Sequence, residues 1–248
     1  MYIHEKTYDL DELARFNTHM HTNFSHCAAD EMVAVDMIKA AEKAGLEIIA
    51  FTDHNYPDEK NALSAQKEEL YRQIKEYPTR LKVLIGGEIS SYDVGKFADD
   101  EESDNSLDWR LYTTNHFHQN YWVHPENKTP RGYCEHMLAI MDKVIDSGRA
   151  DAFAHPFMAK YVKCFDDFRI VTRSFTDNEI GDLMQKSLSK EITWELNVPA
   201  IFDDPDFHKR YFGIGKEVGV IFNIGTDAHK LENIDTHRFL PELKRILL

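Results

Sequence analysis

The chain has 248 residues, 42% of them hydrophobic, and a formal net charge of −14. That length supports one sizeable core and falls where α/β barrels run as a single domain, expected here over residues 1–248. The acidic balance disfavours non-specific binding to a nucleic-acid backbone, although bound cations can reverse the charge of a site locally.

Three cysteines (Cys27, Cys134, Cys164) are odd in number and widely spaced, so no disulfide framework is expected. The first ten residues lack a basic start followed by an apolar run, and no stretch approaches the about 18 apolar residues of a membrane span. A soluble, cytoplasmic protein without membrane contact is the expectation.

Short apolar runs alternate with helical patterns from end to end. A first strand ends over 15–21. Asp30 is placed to cap a helix with Val33, Met37, Ala40, Ala41 and Ala44 on one face, ended by Gly45. Residues 46–52 read as a second strand and 59–76 as a charged helix stopped at Tyr77-Pro78. Residues 81–88 read as a third strand and 109–115 as a fourth. A helix over 132–147 precedes a fifth strand at 151–154. A helix over 176–190 follows, with Thr176 as cap and Glu179 three residues on. A sixth strand (192–196), a helix (206–218), a seventh strand (220–225) and a short helix (241–248) complete the chain.

Strand and helix alternating seven times argue for a parallel sheet with crossover helices, and at this length for a closed or nearly closed barrel. Residues 91–108 carry seven acids against one lysine. They read as a solvated surface loop, or alternatively as a flap near the site.

The polar clusters fall in order as His19-Met-His21, His26, Asp53-His54, Glu88, His116, His155-Pro156 and Asp227-Ala-His229. Nearly all lie at the C-terminal ends of expected strands, which in a parallel barrel meet on the face where active sites form. Imidazole suits zinc, iron or manganese, and a carboxylate can bridge two cations. Side chains two apart on an extended strand share a face, so His19 and His21 can reach one ion. Gly86-Gly87 before Glu88 would let backbone and ligand approach closely.

Singly, each motif has a structural explanation: Asp53-His54 as a strand-end cap, His155-Pro156 as a rigid turn, Asp227-x-His229 as a helix start. Together, seven of thirteen histidines at strand ends beside Glu88 and Asp227 point to a metal cluster. His4, His124, His136, His208 and His237 read as solvated or locally satisfied. His118 repeats the His-x-His spacing with His116, either as an alternative ligand or as a general acid.

The motifs HMHTNFS (from His19), FTDH (to His54), GGE (to Glu88), NHF (around His116), AHP (around His155) and GTDAH (to His229) occur in this order. In them the chain resembles the PHP (polymerase and histidinol phosphatase) superfamily, and within it the stand-alone phosphoesterases of the histidinol-phosphatase type. The resemblance implies a distorted seven-stranded (β/α) TIM-like barrel and two or three divalent ions (Zn, Mn or Fe). By motif, His19, His21, Glu88 and Asp227 would hold one ion. Glu88 would bridge to a second, with His116 and His155. His26, His54 and His229 would hold the third. His26 stands where some members carry Asp; Cys27 and Asp30 are the other candidates.

The expected activity is hydrolysis of a small phosphate monoester by a metal-bridging hydroxide, because coordination lowers the pKa of water from 15.7 to about 7. Asp53 is expected to orient a ligating histidine rather than act as a base. Arg173, Arg169 and Arg131 are candidates for gripping the phosphate, with Arg173 placed first. Alternatives are a phosphodiesterase or exonuclease on short oligonucleotides, a metal-dependent amidohydrolase, or a non-catalytic metal-binding module.

Overall fold

The computed structural model describes residues 2–57, 62–99 and 106–248. The apolar runs form β1 (Phe16–Met20), β2 (Ile48–Phe51), β3 (His54–Asn55), β4 (Lys82–Asp93), β5 (Lys96–Phe97), β6 (Trp109–Thr113), β7 (Ala152–Phe153), β8 (Thr193–Asn197) and β9 (Phe222–Gly225). Seven of these stand side by side in the order β1-β2-β4-β6-β7-β8-β9, every neighbour parallel. β3 and β5 pair only with β4.

The helices are α1 (Leu10–Leu13), α2 (Ala34–Ala44), α3 (Ala62–Lys75), α4 (Pro130–Ser147), α5 (Arg169–Thr172), α6 (Asp177–Leu188), α7 (Val198–Asp203), α8 (Pro205–Val218) and α9 (Leu240–Leu247). The expected strand–helix alternation is therefore present, with three short helices added. Residues 59–61 of the expected charged helix lie outside the described residues.

The two edge strands come together to make a nearly closed barrel. Met20 and Ala228 form an isolated parallel bridge, and the His21 N–H donates to the Ala228 carbonyl at 3.0 Å. Side chains carry the rest of this seam. Asn17 Nδ2 donates to Thr226 Oγ1 at 2.7 Å, and Thr18 Oγ1 donates to the Ile224 carbonyl at 3.3 Å.

Local chemistry explains most element boundaries. The Thr176 hydroxyl accepts from the Glu179 N–H while the Glu179 carboxylate accepts from the Thr176 N–H, the reciprocal cap expected from the spacing. α8 starts at Pro205 because Asp204 caps it, accepting from the Phe207 N–H at 3.3 Å. Asp30 does not cap α2. The helix starts at Ala34, its N-cap is the extended Val33, and no side chain caps it. Turns hydrogen-bonded from Met32 to Ala29 and from Val33 to Glu31 separate Asp30 from the first helical residue.

β4 also differs from expectation. It runs past Glu88 to Asp93, because the chain turns back through β5 and pairs antiparallel with it. The acidic stretch thus opens as a short hairpin. Asp99 then accepts from Tyr112 Oη at 2.6 Å, and Asp108 accepts from the Ile85 N–H at 3.0 Å. Residues 100–105 lie outside the described residues. Among the described residues no helix is long and apolar enough to cross a membrane.

Gly86 serves strand packing rather than ligand approach. It pairs with Trp109 across β4 and β6, and a Cβ there would overlap the Trp109 carbonyl oxygen. Gly86→Ala should therefore destabilise the fold by about 2 kcal/mol, a fall in Tm of about 4–8 °C for a chain of this size. Calorimetry checks this; an unchanged Tm would show that the sheet absorbs the methyl group.

Candidate metal centre

β1 brings two imidazoles to one face. His19 is fully buried, and its Nδ1 lies 2.8 Å from Glu195 Oε1. That bond leaves Nε2 facing the barrel mouth, 3.4 Å from Asp227 Oδ1 and 3.5 Å from Glu88 Oε2. His21 Nε2 lies 3.0 Å from the same Asp227 oxygen and 3.2 Å from His19 Nε2.

Asp53 holds the loop that follows. It accepts from the Thr22 N–H (2.8 Å), the Thr22 hydroxyl (2.6 Å) and the Ser25 hydroxyl (2.6 Å). Ser25 Oγ in turn lies 3.4 Å from His21 Nδ1. Asp53 thus reaches His21 through Ser25, and the hydrogen bonds to its carboxylate all come from that loop.

Glu88 lies at the centre with 1% exposure. Its Oε1 is 2.9 Å from His155 Nε2 and 3.5 Å from His116 Nε2. Its Oε2 is 2.9 Å from His54 Nδ1 and 3.7 Å from His21 Nε2. The parallel pairing of His54 with Glu88 across β3 and β4 sets the His54 contact. Each carboxylate oxygen thus faces its own set of imidazoles.

Two of the converging residues adopt the left-handed backbone region, His155 with φ 31° and Asp227 with φ 52°. Such conformations cost about 1–3 kcal/mol each and persist only where surroundings over-determine them. At His155 the N–H donates to Glu195 Oε2, and the carbonyl accepts from Asn115 Nδ2 at 2.8 Å. Glu195 therefore orients His19 with one oxygen and pins the His155 backbone with the other. Gly225 makes room for it, since a Cβ at Gly225 would overlap Glu195 Oε1 and come within 2.6 Å of His19 Cβ.

The electrostatics follow from burial among unlike charges. Burial works against charge on His19, but Glu195 and Asp227 more than offset it and raise its pKa well above the usual value. Burial likewise opposes charge on His54, yet Glu88 holds it at about 10. Burial and the neighbouring His54 push His21 down to about 3. Glu88 and Asp227 are lowered well below ordinary carboxylates despite their burial, Glu88 by His54 and His116, and Asp227 by His19 and His21. Cys27, which burial alone would raise, is brought to about 6 by hydrogen bonds from His229 and His54.

Four overlapping groups present ligand atoms within 4.8 Å of one another: His19, Glu88 and His155; His54, Glu88 and His116; His19, His21 and Asp227; His21, His54 and His229. Of the nine residues singled out for metal, eight converge here. The ninth does not. His26 is exposed and belongs to none of the groups, because the turn that brings Cys27 toward His229 carries the preceding side chain elsewhere. His155 stands with His19 as well as with Glu88, and His54 stands with Glu88 and His116 as well as with His229.

The arginine candidates also lie elsewhere. Arg173 points to Asp167 (3.5 Å) and lines a separate cavity with Thr172, Asp204 and Phe207. Arg131 is bound by Glu135 and Glu179, and Arg169 Nε donates to the Asp203 carbonyl at 3.1 Å. Lys163 Nζ lies 5.6 Å from the ring centroid of Tyr161, a residue of the cavity wall. His118 does reach the cavity wall, its ring 4.0 Å from that of Tyr161. Glu195 was not anticipated at all. The available signal was a carboxylate between Trp194 and Leu196 within a strand, where a charge is not expected without a partner.

A model of the PHP domain matches residues 17–167, more than half of the chain. The chain belongs to the PHP domain family. Its sequence is 27% identical over 219 residues to a protein of Aliivibrio fischeri named a probable phosphatase, covering 88% of this chain and 79% of that one. A probable phosphatase of Vibrio parahaemolyticus is 26% identical over the same length, with the same coverage. Among solved structures, histidinol phosphate phosphatase from Lactococcus lactis, complexed with zinc, L-histidinol and phosphate, superposes with a TM-score of 0.62 at 21% identity. It covers 92% of both chains. The likeness shows the PHP barrel. Asp227 and His229 lie beyond the residues the domain model matches, yet the barrel seam brings them beside His19 and His21.

In this PHP domain stripped of metal, His19 and His54 hold protons at neutral pH that a ligating nitrogen must give up. His54 is raised from 6.5 to about 10, so its contribution to stability is complete below about pH 6.5 and lost as pH rises through 10. Adding zinc to the stripped protein at pH 7.5 should therefore release at least one proton per chain. Calorimetry in buffers of different ionisation enthalpy reads this directly; buffer-independent heat would contradict the assignment.

Proposed function

We propose that the chain is a metal-dependent phosphatase that hydrolyses a small phosphate monoester, using two or three divalent ions of zinc, manganese or iron. The observation that carries this reading is the division of Glu88. Its two oxygens face different imidazoles, and among the described residues no lysine or arginine lines the cavity to neutralise it. A buried carboxylate with only imidazole neighbours fits bridging of cations. The relatives named as probable phosphatases support the reaction class, as does the neighbour that binds zinc, L-histidinol and phosphate.

The residues proposed to hold the ions are His19, His21, Glu88 and Asp227 for one, Glu88, His116 and His155 for a second, and His54 with His229 for a third. When bound there, the ions would supply an activated water and offset the charge of the phosphoryl group, so an acidic chain can take an anionic substrate. Glu195 fixes the His19 ring so that Nε2 faces the centre, and Asn115 with Glu195 fixes the His155 backbone. Asp53 fixes the loop carrying Thr22 and Ser25.

At the mouth, burial and then the nearby Glu88 and Asp227 charges push Tyr161 up to about 12, so its hydroxyl keeps its proton at neutral pH. Burial and Lys163 lower His118, which is therefore neutral there and donates a hydrogen bond to a leaving oxygen rather than a full proton. Lys163 is the side chain placed to meet the ester's remaining charge. The cavity, about 140 Å³, suits a small monoester better than an oligonucleotide.

The deciding experiment measures metal content and then hydrolysis of phosphomonoesters, phosphodiesters and amides with manganese, zinc or iron supplied. Monoesters should be cleaved preferentially, and chelation should abolish the activity. Preference for diesters or amides would replace the substrate class; inactivity with full metal content would remove the enzyme reading. Glu88→Ala should lose two ions together and at least about 10³-fold in kcat/KM. Loss of a single ion would refute the bridge. Lys163→Ala should raise KM by roughly 3–10-fold with little change in kcat, as expected for a contact equal in ground and transition states.

A further inference from the structure

A sulfur lies beside the third group of ligand atoms. His21, His54 and His229 bring one nitrogen each within 4.8 Å of one another, and Cys27 lines the same cavity. Cys27 Sγ lies 3.1 Å from His229 Nε2, and His54 lines the same cavity.

The tautomer of His229 directs this contact. Its Nδ1 lies 2.7 Å from the Asp227 carbonyl oxygen, which can only accept, so Nδ1 carries the proton. Nε2, facing the sulfur, is therefore the ring nitrogen available to a metal once it gives up any proton it shares with the thiol. On a tetrahedral ion with metal–sulfur and metal–nitrogen distances of about 2.3 and 2.0 Å, the two ligand atoms stand about 3.5 Å apart. The observed separation is within a few tenths of an ångström of that.

The loop holding Cys27 is anchored on both sides. Ser25 donates to Asp53 at 2.6 Å, the Ala28 N–H donates to the Ser25 carbonyl at 2.9 Å, and the Ala29 N–H donates to the His229 carbonyl at 2.9 Å. The last of these ties the cysteine loop to the very segment that carries the facing imidazole. Both Cys27 and the adjacent His26 are exposed, but it is the Cys27 sulfur that lines the cavity and contacts His229, and His26 is not among the residues lining that cavity.

We propose that Cys27, not His26, completes the third site as a thiolate ligand beside His54 and His229, which makes that site a mixed sulfur–imidazole site. On binding, the Cys27 S–H gives its proton to solvent and its sulfur electron pair to the ion, with no change of oxidation state. Sulfur in the set shifts preference toward softer ions at this position alone, while the sites built on Glu88 keep nitrogen and oxygen donors. The inference rests on the metal-dependent reading above.

Cobalt(II) separates the possibilities, because thiolate ligation gives a charge-transfer absorption in the near ultraviolet that imidazole and carboxylate do not. The protein loaded with cobalt should show that band. Cys27→Ser should lose it, whereas His26→Ala and Cys164→Ser should keep it. Cys27→Ala should contain one ion fewer per chain, and Cys27→His should restore the ion without the band. A fully loaded protein lacking the band, a band that survives Cys27→Ser, or unchanged metal content in Cys27→Ala would each overturn the assignment. A protein that binds no cobalt at all defeats the metal reading itself, and the ligand assignment with it.

Discussion

A carboxylate with 1% exposure, in a cavity that no lysine or arginine among the described residues lines, must find positive charge elsewhere, because leaving it unpaired in the interior costs several kcal/mol. Glu88 finds it in imidazoles alone, and imidazoles supply charge only when protonated or when they share a cation. Much of the surrounding architecture keeps those rings in place. Glu195 sets the His19 ring and the His155 backbone, Asp53 sets the loop after His21, and the β3–β4 pairing sets His54. Three buried carboxylates, Asp53, Glu88 and Glu195, beside a partly buried Asp227 are a liability for folding, and an arrangement that keeps them all is explained by what they hold together.

Much of this was legible in the sequence, for a geometric reason. Parallel strands point their C-terminal ends one way, so a list of strand ends is already a list of neighbours. His19, His21, His155, Asp227 and His229 fall in or within four residues of β1, β7 and β9, and they meet as expected. The capping box at Thr176 was readable because its two partners lie three residues apart.

What was not legible depends on backbone paths between strands. No periodicity governs the loop after His21, so His26 and Cys27 could not be told apart until a turn of defined geometry placed the sulfur against His229. Glu195 was hidden for a different reason: in a strand pattern, an acid reads as a solvent-facing residue, and its partners lie 176 and 40 positions away. Gly86 showed the converse error. A glycine beside a ligand suggests access to the site, but its neighbour is the carbonyl of the adjacent strand. The arginines failed because following a strand in sequence does not place a long side chain over the barrel axis; Arg131, Arg169 and Arg173 each find partners on outer helices and loops.

The seam between β1 and β9 gives the site a mechanical role. Backbone pairing there amounts to a single bridge between Met20 and Ala228, supplemented by side chains such as Asn17 and Thr226. His19 and His21 approach from one lip of that seam and Asp227 from the other. An ion shared by the three would act as a clasp between the first and last strands, joining residues some 200 positions apart as a cross-link does. Opening the barrel and releasing the ion would then be one event, and the lifetime of the bound ion would set how often the two lips part.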